Sequence, residues 1–367
     1  MKKIGIVTWF YYANPGTAFQ AYALQQYINS IQNFEAEILT ICNTWLALVN
    51  NATIKVYAKK YGCFSKLVQI WLGIKAYNYC SFQRKHIKMY PRKMDIMYRK
   101  KDRCSLNDRY DWVILGSDQV WNLGYYRRFR EDLFLAFVSG PKKGAYAPSI
   151  GVKDWPDELK GRIKELLSDF SFIGVREKQA VDVVQPLAKV PVHWSLDPTF
   201  LLDKADWSKI ARKPEHTGDY IFEYCIIKSP ELRAATEKLA AETGLPIIEH
   251  HGDLRKHVPS AVRMPHPSAD TWLGYLMNAK YVVTDSFHGC AFCVNTNRNF
   301  YAIVTSNGSR IHSMLELFGL QSRVLTKADG INPSDLIDWN PVNENLEERR
   351  NESREWLKNS LLKEDYC

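Results

Sequence analysis

No stretch of this chain offers the eighteen or so consecutive apolar residues that a bilayer-crossing helix requires. The longest candidate, Leu67 to Ile74, is broken by Gln69 and Gly73. Low-complexity tracts and internal repeats are also missing, which excludes a disordered linker or a solenoid as the main architecture. The eight cysteines, at positions 42, 63, 80, 104, 225, 290, 293 and 367, lack the dense spacing of a secreted disulfide scaffold. Cys290 and Cys293 form a Cys-x-x-Cys, but no second pair or histidine set completes a zinc pattern, and the pair reads as ordinary helix packing. His250, His251, Asp253, His257 and His266 stand at no recognised ligand spacing. No metal and no other cofactor is therefore expected. A small-residue cleavage site is lacking near the N-terminus, where Trp9 and Phe10-Tyr11-Tyr12 occupy its place, so Met1 to Val7 reads as the first strand of a cytoplasmic protein.

What is present fits a globular α/β chain. At 367 residues it is too long for one ordinary core and suits two domains, and 46% hydrophobic with 24% charged residues is the balance of a soluble fold. The formal charge of +9 is concentrated. Lys55 to Arg103 holds fourteen Lys or Arg against Asp95 and Asp102, a local excess of twelve, while the remainder nets slightly acidic. Such a segment draws anionic partners and suits the inner face of an anionic membrane; a solvated helical face is the plainer reading. No nucleic-acid module accompanies the patch, so nucleic acid is not expected as a partner.

Apolar segments at Ile4 to Trp9, Ala36 to Ile41, Asp111 to Leu115, Gly144 to Pro148, Phe172 to Val175 and Val190 to Trp194 predict strands. Helical patterns such as Thr17 to Ile28 and Asp157 to Leu167 separate them. After a polar stretch, Lys204 to Asp219, the run Tyr220 to Ile227, Pro230 to Thr243, Leu245 to His250 reads as a βαβ unit. A helix over Asp270 to Met277, strands at Ala279 to Val283 and Phe300 to Val304, and a charged helix over Asn343 to Leu362 follow. The expected fold is thus α/β: two doubly wound, Rossmann-like domains in a GT-B-like arrangement with a closing C-terminal helix. The expected boundaries are 1–210 for the first domain with a basic helical insertion at 51–104, 215–335 for the second, and 343–364 for a helix packing back on the first.

Five motifs carry the chemistry. They are Asn14-Pro-Gly-Thr-Ala-Phe-Gln, Asp111-Trp-Val-Ile-Leu-Gly-Ser-Asp-Gln-Val-Trp-Asn122, Gly174-Val-Arg-Glu177, Leu196-Asp-Pro-Thr-Phe-Leu-Leu202 and Thr284-Asp-Ser-Phe-His-Gly289, with Arg310 beyond. His288 follows an apolar strand at the start of a helix, where unpaired N–H groups favour an anion. In this order the set resembles the polysaccharide pyruvyl transferase family, from about Lys3 to Arg323.

The resemblance implies a phosphoenolpyruvate donor and a sugar acceptor bearing two suitably spaced hydroxyls, on a bacterial surface polysaccharide or its lipid-linked, polyprenyl-diphosphate precursor. His288 fits the acid-base role, because a side chain titrating near neutrality can both give a proton to the donor's methylene carbon and accept one from a hydroxyl. Arg176 and Arg310, with Ser286 and Gly289, are the expected donor-binding residues; an ion pair with Glu177 is the structural alternative for Arg176, and a helix-end surface cation for Arg310. Asp118 is a candidate partner of an acceptor hydroxyl or a plain cap. Asn14, Gly16, Thr17, Gln119, Trp121 and His250 are expected at the acceptor or cleft, Trp121 and Tyr125-Tyr126 offering rings to a sugar and Asn14, Gly16 and Thr17 also being ordinary turn residues. Asp285 is expected to orient His288 or to cap.

Where many family members carry Arg-Leu-His-Gly, this chain has Ser286-Phe287-His288-Gly289. One donor-binding cation is thereby unaccounted for, with Arg310, Lys280 and Arg298 as substitutes. Two other readings stay open: a nucleotide-sugar glycosyltransferase on the same architecture, and a non-catalytic carbohydrate-binding or membrane-docked assembly protein.

Overall fold

The computed structural model describes residues 1–10, 14–40, 80–90, 106–126, 128–251, 256–264, 268–304 and 308–363. Most of the basic segment, including Lys59, Lys60, Lys100 and Lys101, lies outside these residues, as do Asp253 and His266. The chain divides into two compact units, Met1–Leu201 with Arg350–Cys367, and Leu202–Arg349.

In the first unit, β1 (Lys2–Val7), β2 (Phe34–Leu39), β3 (Met89–Tyr90), β4 (Trp112–Leu115), β5 (Lys142–Tyr146), β6 (Phe170–Val175) and β7 (Val192–Trp194) form one parallel sheet in the order β3-β2-β1-β4-β5-β6-β7. The central strand β4, Trp-Val-Ile-Leu, is wholly apolar and buried, as a strand covered on both faces should be, whereas β2 alternates Glu35 and Glu37 with buried apolar residues. Helix α1 (Pro15–Ser30) starts at a proline in its first turn behind the cap Asn14, and is buried along most of its length by Phe19, Ala23, Leu24 and Ile28. The other described helices are α2 (Ser81–His86), α3 (Asp157–Leu167) and α4 (Lys178–Val184). One core includes Ile4, Ile6, Leu24, Ile38 and Ile114; the other face packs Val113, Leu115, Trp121, Phe134 and Trp155.

The second unit repeats the plan. Strands β8 (Ile221–Tyr224), β9 (Ile247–His250), β10 (Val262–Arg263), β11 (Tyr281–Thr284), β12 (Asn299–Ile303) and β13 (Val324–Leu325) are parallel in the order β10-β9-β8-β11-β12-β13. Its helices are α5 (Lys204–Ile210), α6 (Pro230–Thr243), α7 (Ala269–Asn278), α8 (Phe287–Thr296) and α9 (Ser309–Leu317). The polar stretch after Lys204 is therefore partly helical: Asp203 caps α5, and the wholly buried Trp207 meets Phe292 edge-on at 4.9 Å. The one buried residue of that helix, set in a largely polar context, anchors it within the second unit.

The last helix, α10 (Trp339–Leu362), runs through the division, and its portion from Arg350 onward belongs to the first unit. Leu357 and Leu361 are wholly buried in the first unit's core. Arg350 Nε donates to the Phe200 carbonyl at 2.7 Å, and the Arg354 guanidinium to that of Leu201 at 2.6 and 2.9 Å.

In each sheet the strand order reverses once, between β1 and β4 and between β8 and β11. Crevices at such reversals, beyond the carboxyl ends of the strands, are where open α/β sheets bind ligands. The sequence places Asp118 just beyond β4 and His288 just beyond β11.

Candidate functional site

At the first reversal, Gly116 lets the chain pass Thr8: a Cβ there would lie 2.9 Å from the Thr8 Cβ. Thr8 Oγ1 donates to the Ser117 carbonyl at 2.9 Å. Asp118 follows with φ 68° and ψ −174°, a region almost reserved for glycine, so its backbone is held under strain of about 1–3 kcal/mol. Its carboxylate accepts from the Gln119 N–H at 2.8 Å and from Thr17 Oγ1 at 2.8 Å. Asp118 thus caps the short helical turn Gln119–Trp121 and is joined to the first turn of α1, where Asn14 accepts from the Gly16 N–H at 3.0 Å. The structure brings Asn14, Gly16, Thr17, Asp118 and Gln119 to one place.

Trp121 does not join them as a sugar platform. Its ring is wholly buried, stacked on Phe134 and edge-on to Trp155, with its N–H given to the Leu133 carbonyl. The exposed ring at this edge is Tyr125, which is 59% accessible, meets Trp9 edge-on and accepts from Gln119 Nε2.

Arg176 is almost fully buried, beyond β6. Its guanidinium reaches Asp197 Oδ2 at 2.9 Å and Glu177 Oε1 at 3.1 Å. Burial works against its charge, and Glu177, Asp197 and Asp118 sustain it, holding the group above its ordinary pKa. The ion-pair alternative for Arg176 is realised, and extended by Asp197, which also accepts from Thr199 N and Oγ1 and lies 3.3 Å from Ser117 Oγ. This network shapes the ground beneath Asp118. It leaves Arg176 poorly suited to a forked contact with substrate.

At the second reversal, Ser286 is the cap of α8: its Oγ accepts from the Gly289 N–H at 3.2 Å, and its own N–H donates to Thr284 Oγ1 at 3.0 Å. A Cβ on Gly289 would come within 2.6 Å of Thr284 Oγ1, so glycine here lets helix and strand approach. His288 is buried in the first turn, its ring edge-on to Phe287 at 5.3 Å. Arg310, in the first turn of α9, lies over that same Phe287 ring with its guanidinium 6.0 Å from the centroid.

Lys280 and Arg298, the other substitutes for the missing arginine, precede β11 and β12 and so lie at the amino ends of those strands. Lys280 pairs with Asp219, and Arg298 donates to the Thr296 and Ala279 carbonyls. Arg310 is the candidate that the fold brings to His288.

Asp285 corrects another expectation. Its carboxylate accepts from the Ile226 and Ile227 N–H groups at 2.7 and 2.8 Å, so it holds the segment after β8 rather than orienting His288, and burial raises its pKa. That capture also explains why β8 stops at Tyr224, short of the predicted Ile227. His250 ends β9, stacked with Tyr224 at 5.8 Å, and burial, with His251 and Arg263, pushes its pKa down to about 3. It is a neutral packing residue near the strand ends.

Cys290 and Cys293 are buried within α8, as the packing reading expects. The histidines after β9 have company that spacing did not show: Glu223 and Glu249 face each other on β8 and β9, and Cys225 follows the end of β8.

Fold and sites together define a two-unit parallel α/β protein of the GT-B class. A UDP-GlcNAc 2-epimerase from Neisseria meningitidis, bound to UDP-GlcNAc, superposes with a TM-score of 0.54 at 11% identity over 99% of this chain and 100% of that one. A heptosyltransferase from E. coli aligns at 14% identity over 82% and 88% of the two chains, with a TM-score of 0.41. No sequence among curated proteins matches. The model of the polysaccharide pyruvyl transferase family matches residues 14–307, and the chain belongs to that family.

Among the described residues no helix is long and apolar enough to cross a membrane.

Proposed function

We propose that this transferase moves pyruvate from phosphoenolpyruvate onto two hydroxyls of one sugar, forming a cyclic ketal, with His288 as the acid-base residue. The observation that carries the reading is the placement of His288 in the first turn of α8, at the reversal point of the second sheet, with Arg310 sharing Phe287 as its neighbour.

The donor is a compact polyanion. N–H groups of a helix start and the Arg310 guanidinium suit its phosphate and carboxylate. Protonation of the methylene carbon by His288 makes C2 electrophilic, one sugar hydroxyl adds, phosphate leaves, and the second hydroxyl closes the ring. Each hydroxyl gives up a proton; one restores His288 and the other leaves with the phosphate, so the step needs no oxidant. Asp118, strained and tied to Thr17, is the proposed partner of an acceptor hydroxyl, and the exposed Tyr125 ring beside it suits the apolar face of a sugar. The acceptor is a surface polysaccharide or its polyprenyl-diphosphate-linked precursor, which the basic segment would meet at the inner membrane face.

Phosphate release from phosphoenolpyruvate, followed against lipid-linked and free glycans, tests the proposal. Release that depends on one acceptor, with a pyruvate ketal in the product, supports it. Turnover of a nucleotide sugar instead, with phosphoenolpyruvate inert, would replace it by glycosyl transfer.

A further inference from the structure

Strands β8 and β9 pair with Glu223 opposite Glu249 and Tyr224 opposite His250. Side chains alternate across a sheet, so Glu223 and Cys225 share a face, and Glu249 and His251 share it with them. Both carboxylates are wholly buried, and Cys225, His251 and His257 nearly so. Each buried carboxylate requires a cation or several donors. Glu249 has two at one oxygen: His257 N and Val258 N donate to its Oε2 at 2.9 and 3.1 Å, while its Oε1 makes no hydrogen bond and has His251 Nε2 at 3.3 Å.

Glu223 is less well served. Its Oε1 meets His257 Nδ1 at 2.8 Å, while Oε2 is buried with no hydrogen-bond partner. Beside it Cys225 offers a thiol that burial pushes far above its usual pKa. One ligand atom from each of Glu223, Cys225 and His257 lies within 4.8 Å of the others. Around a tetrahedral ion such atoms stand about 3–4 Å apart, so small side-chain rotations close the set.

From this geometry we propose that Glu223, Cys225 and His257 bind a divalent metal ion of the zinc class, with Glu249 or water in the fourth position. The ring of His257 is already oriented for it. Nε2 lies 3.0 Å from the Ser229 carbonyl, and the N–H it donates there leaves Nδ1 as the ligand atom. This is the outer contact that metal-bound histidines ordinarily make. The donor set of thiolate, imidazole and carboxylate suits zinc and excludes the all-oxygen preference of magnesium or calcium. Binding displaces the Nδ1 and thiol protons to solvent and gives the idle carboxylate oxygen its counter-charge.

The site's place gives it a structural task. Ser229 caps α6, and Cys225 adjoins Ile226 and Ile227, whose N–H groups hold Asp285. A metal would pin the ends of β8 and β9 to the 256–258 segment. The inference is independent of pyruvyl transfer, and its readouts use no turnover.

The full chain, freed of metal by chelator and shown folded by circular dichroism, is titrated with zinc and with cobalt(II). About one equivalent should bind, cobalt producing a thiolate-to-metal charge-transfer band in the near ultraviolet. Cys225→Ser should abolish that band, and Glu223→Gln should weaken zinc binding by about tenfold or more; a Cys290→Ala/Cys293→Ala double variant should change neither. Folded wild-type protein that binds no stoichiometric zinc or cobalt overturns the proposal, leaving two carboxylate–histidine contacts. So does a charge-transfer band that survives Cys225→Ser.

Discussion

Arg310 and His288 meet at Phe287: the guanidinium lies over the ring face and the imidazole against its edge. A cation and an imidazole are thereby placed beside one rigid aromatic at the start of α8. Truncating His288 to Ala should leave the fold intact and lower turnover by about a hundredfold or more. Steady-state phosphate release checks it, and near-normal turnover would end the assignment.

The two arginines should separate cleanly. Arg310→Ala is expected to weaken donor binding by about 1.5–3 kcal/mol, the usual worth of a hydrogen bond to a charged group, with little loss of stability. Arg176→Ala strips Asp197 and Glu177 of a buried partner and should cost about 3–5 kcal/mol of folding stability. Urea unfolding beside donor titration distinguishes them; unchanged stability in Arg176→Ala would mean the network is dispensable.

At Asp118, backbone and side chain can be tested apart. Asp118→Gly removes the carboxylate but relieves the strained φ and ψ, whereas Asp118→Ala keeps the strain. Both should lose turnover, while the glycine variant is the more stable by about 1–2 kcal/mol. Equal stabilities would argue that the backbone relaxes on substitution.

Glu37 on β2 gives a pH-dependent contribution. Burial alone would raise its pKa, but hydrogen bonds from Arg109 and Tyr110, with Lys88 nearby, outweigh it and lower the value. A lowered folded-state pKa means the unfolded chain takes up the proton first, so the stability is whole above about pH 4.5 and is lost as pH falls below it. Glu37→Gln should therefore cost about 1–2 kcal/mol at pH 7, and its urea midpoint should converge with that of the parent protein as pH falls through the lowered pKa of Glu37.

The basic segment is expected to bind vesicles containing anionic lipid. Binding should fade as salt shortens the Debye length from about 10 Å at 0.1 M to about 3 Å at 1 M, and fall when Lys59, Lys60, Lys100 and Lys101 become Glu. Co-sedimentation that ignores both salt and charge reversal would assign the segment to solvent.

The fold was legible because parallel strands buried on both faces spell themselves as apolar runs, and β1, β4, β9 and β11 lie close to where their runs predict. What escaped were short edge strands such as β10 and β13, two residues each, and α5, whose single buried tryptophan makes no period. Motifs singled out Asp118 and His288, the residues of the proposed chemistry, because each comes shortly after a strand in its own local signature. They misjudged Trp121 and Asp285, since a tryptophan after a strand reads alike whether it faces solvent or core, and a carboxylate's partners at Ile226 and Ile227 are distant in sequence. For the same reason the Glu223, Cys225 and His257 group was invisible: strand pairing, not spacing, assembles it.

The end of α10 has a consequence for how the protein is made. Leu357 and Leu361 fill the first unit's core, and Arg350 and Arg354 occupy the carbonyls of Phe200 and Leu201. Domains commonly fold in the order in which they leave the ribosome. Here the earlier unit must wait with a flank of its core open until every residue of the later one has been synthesised. Its final folding step is thus set by the translation of another unit, and a ribosome that stalls in the intervening sequence would strand it half closed.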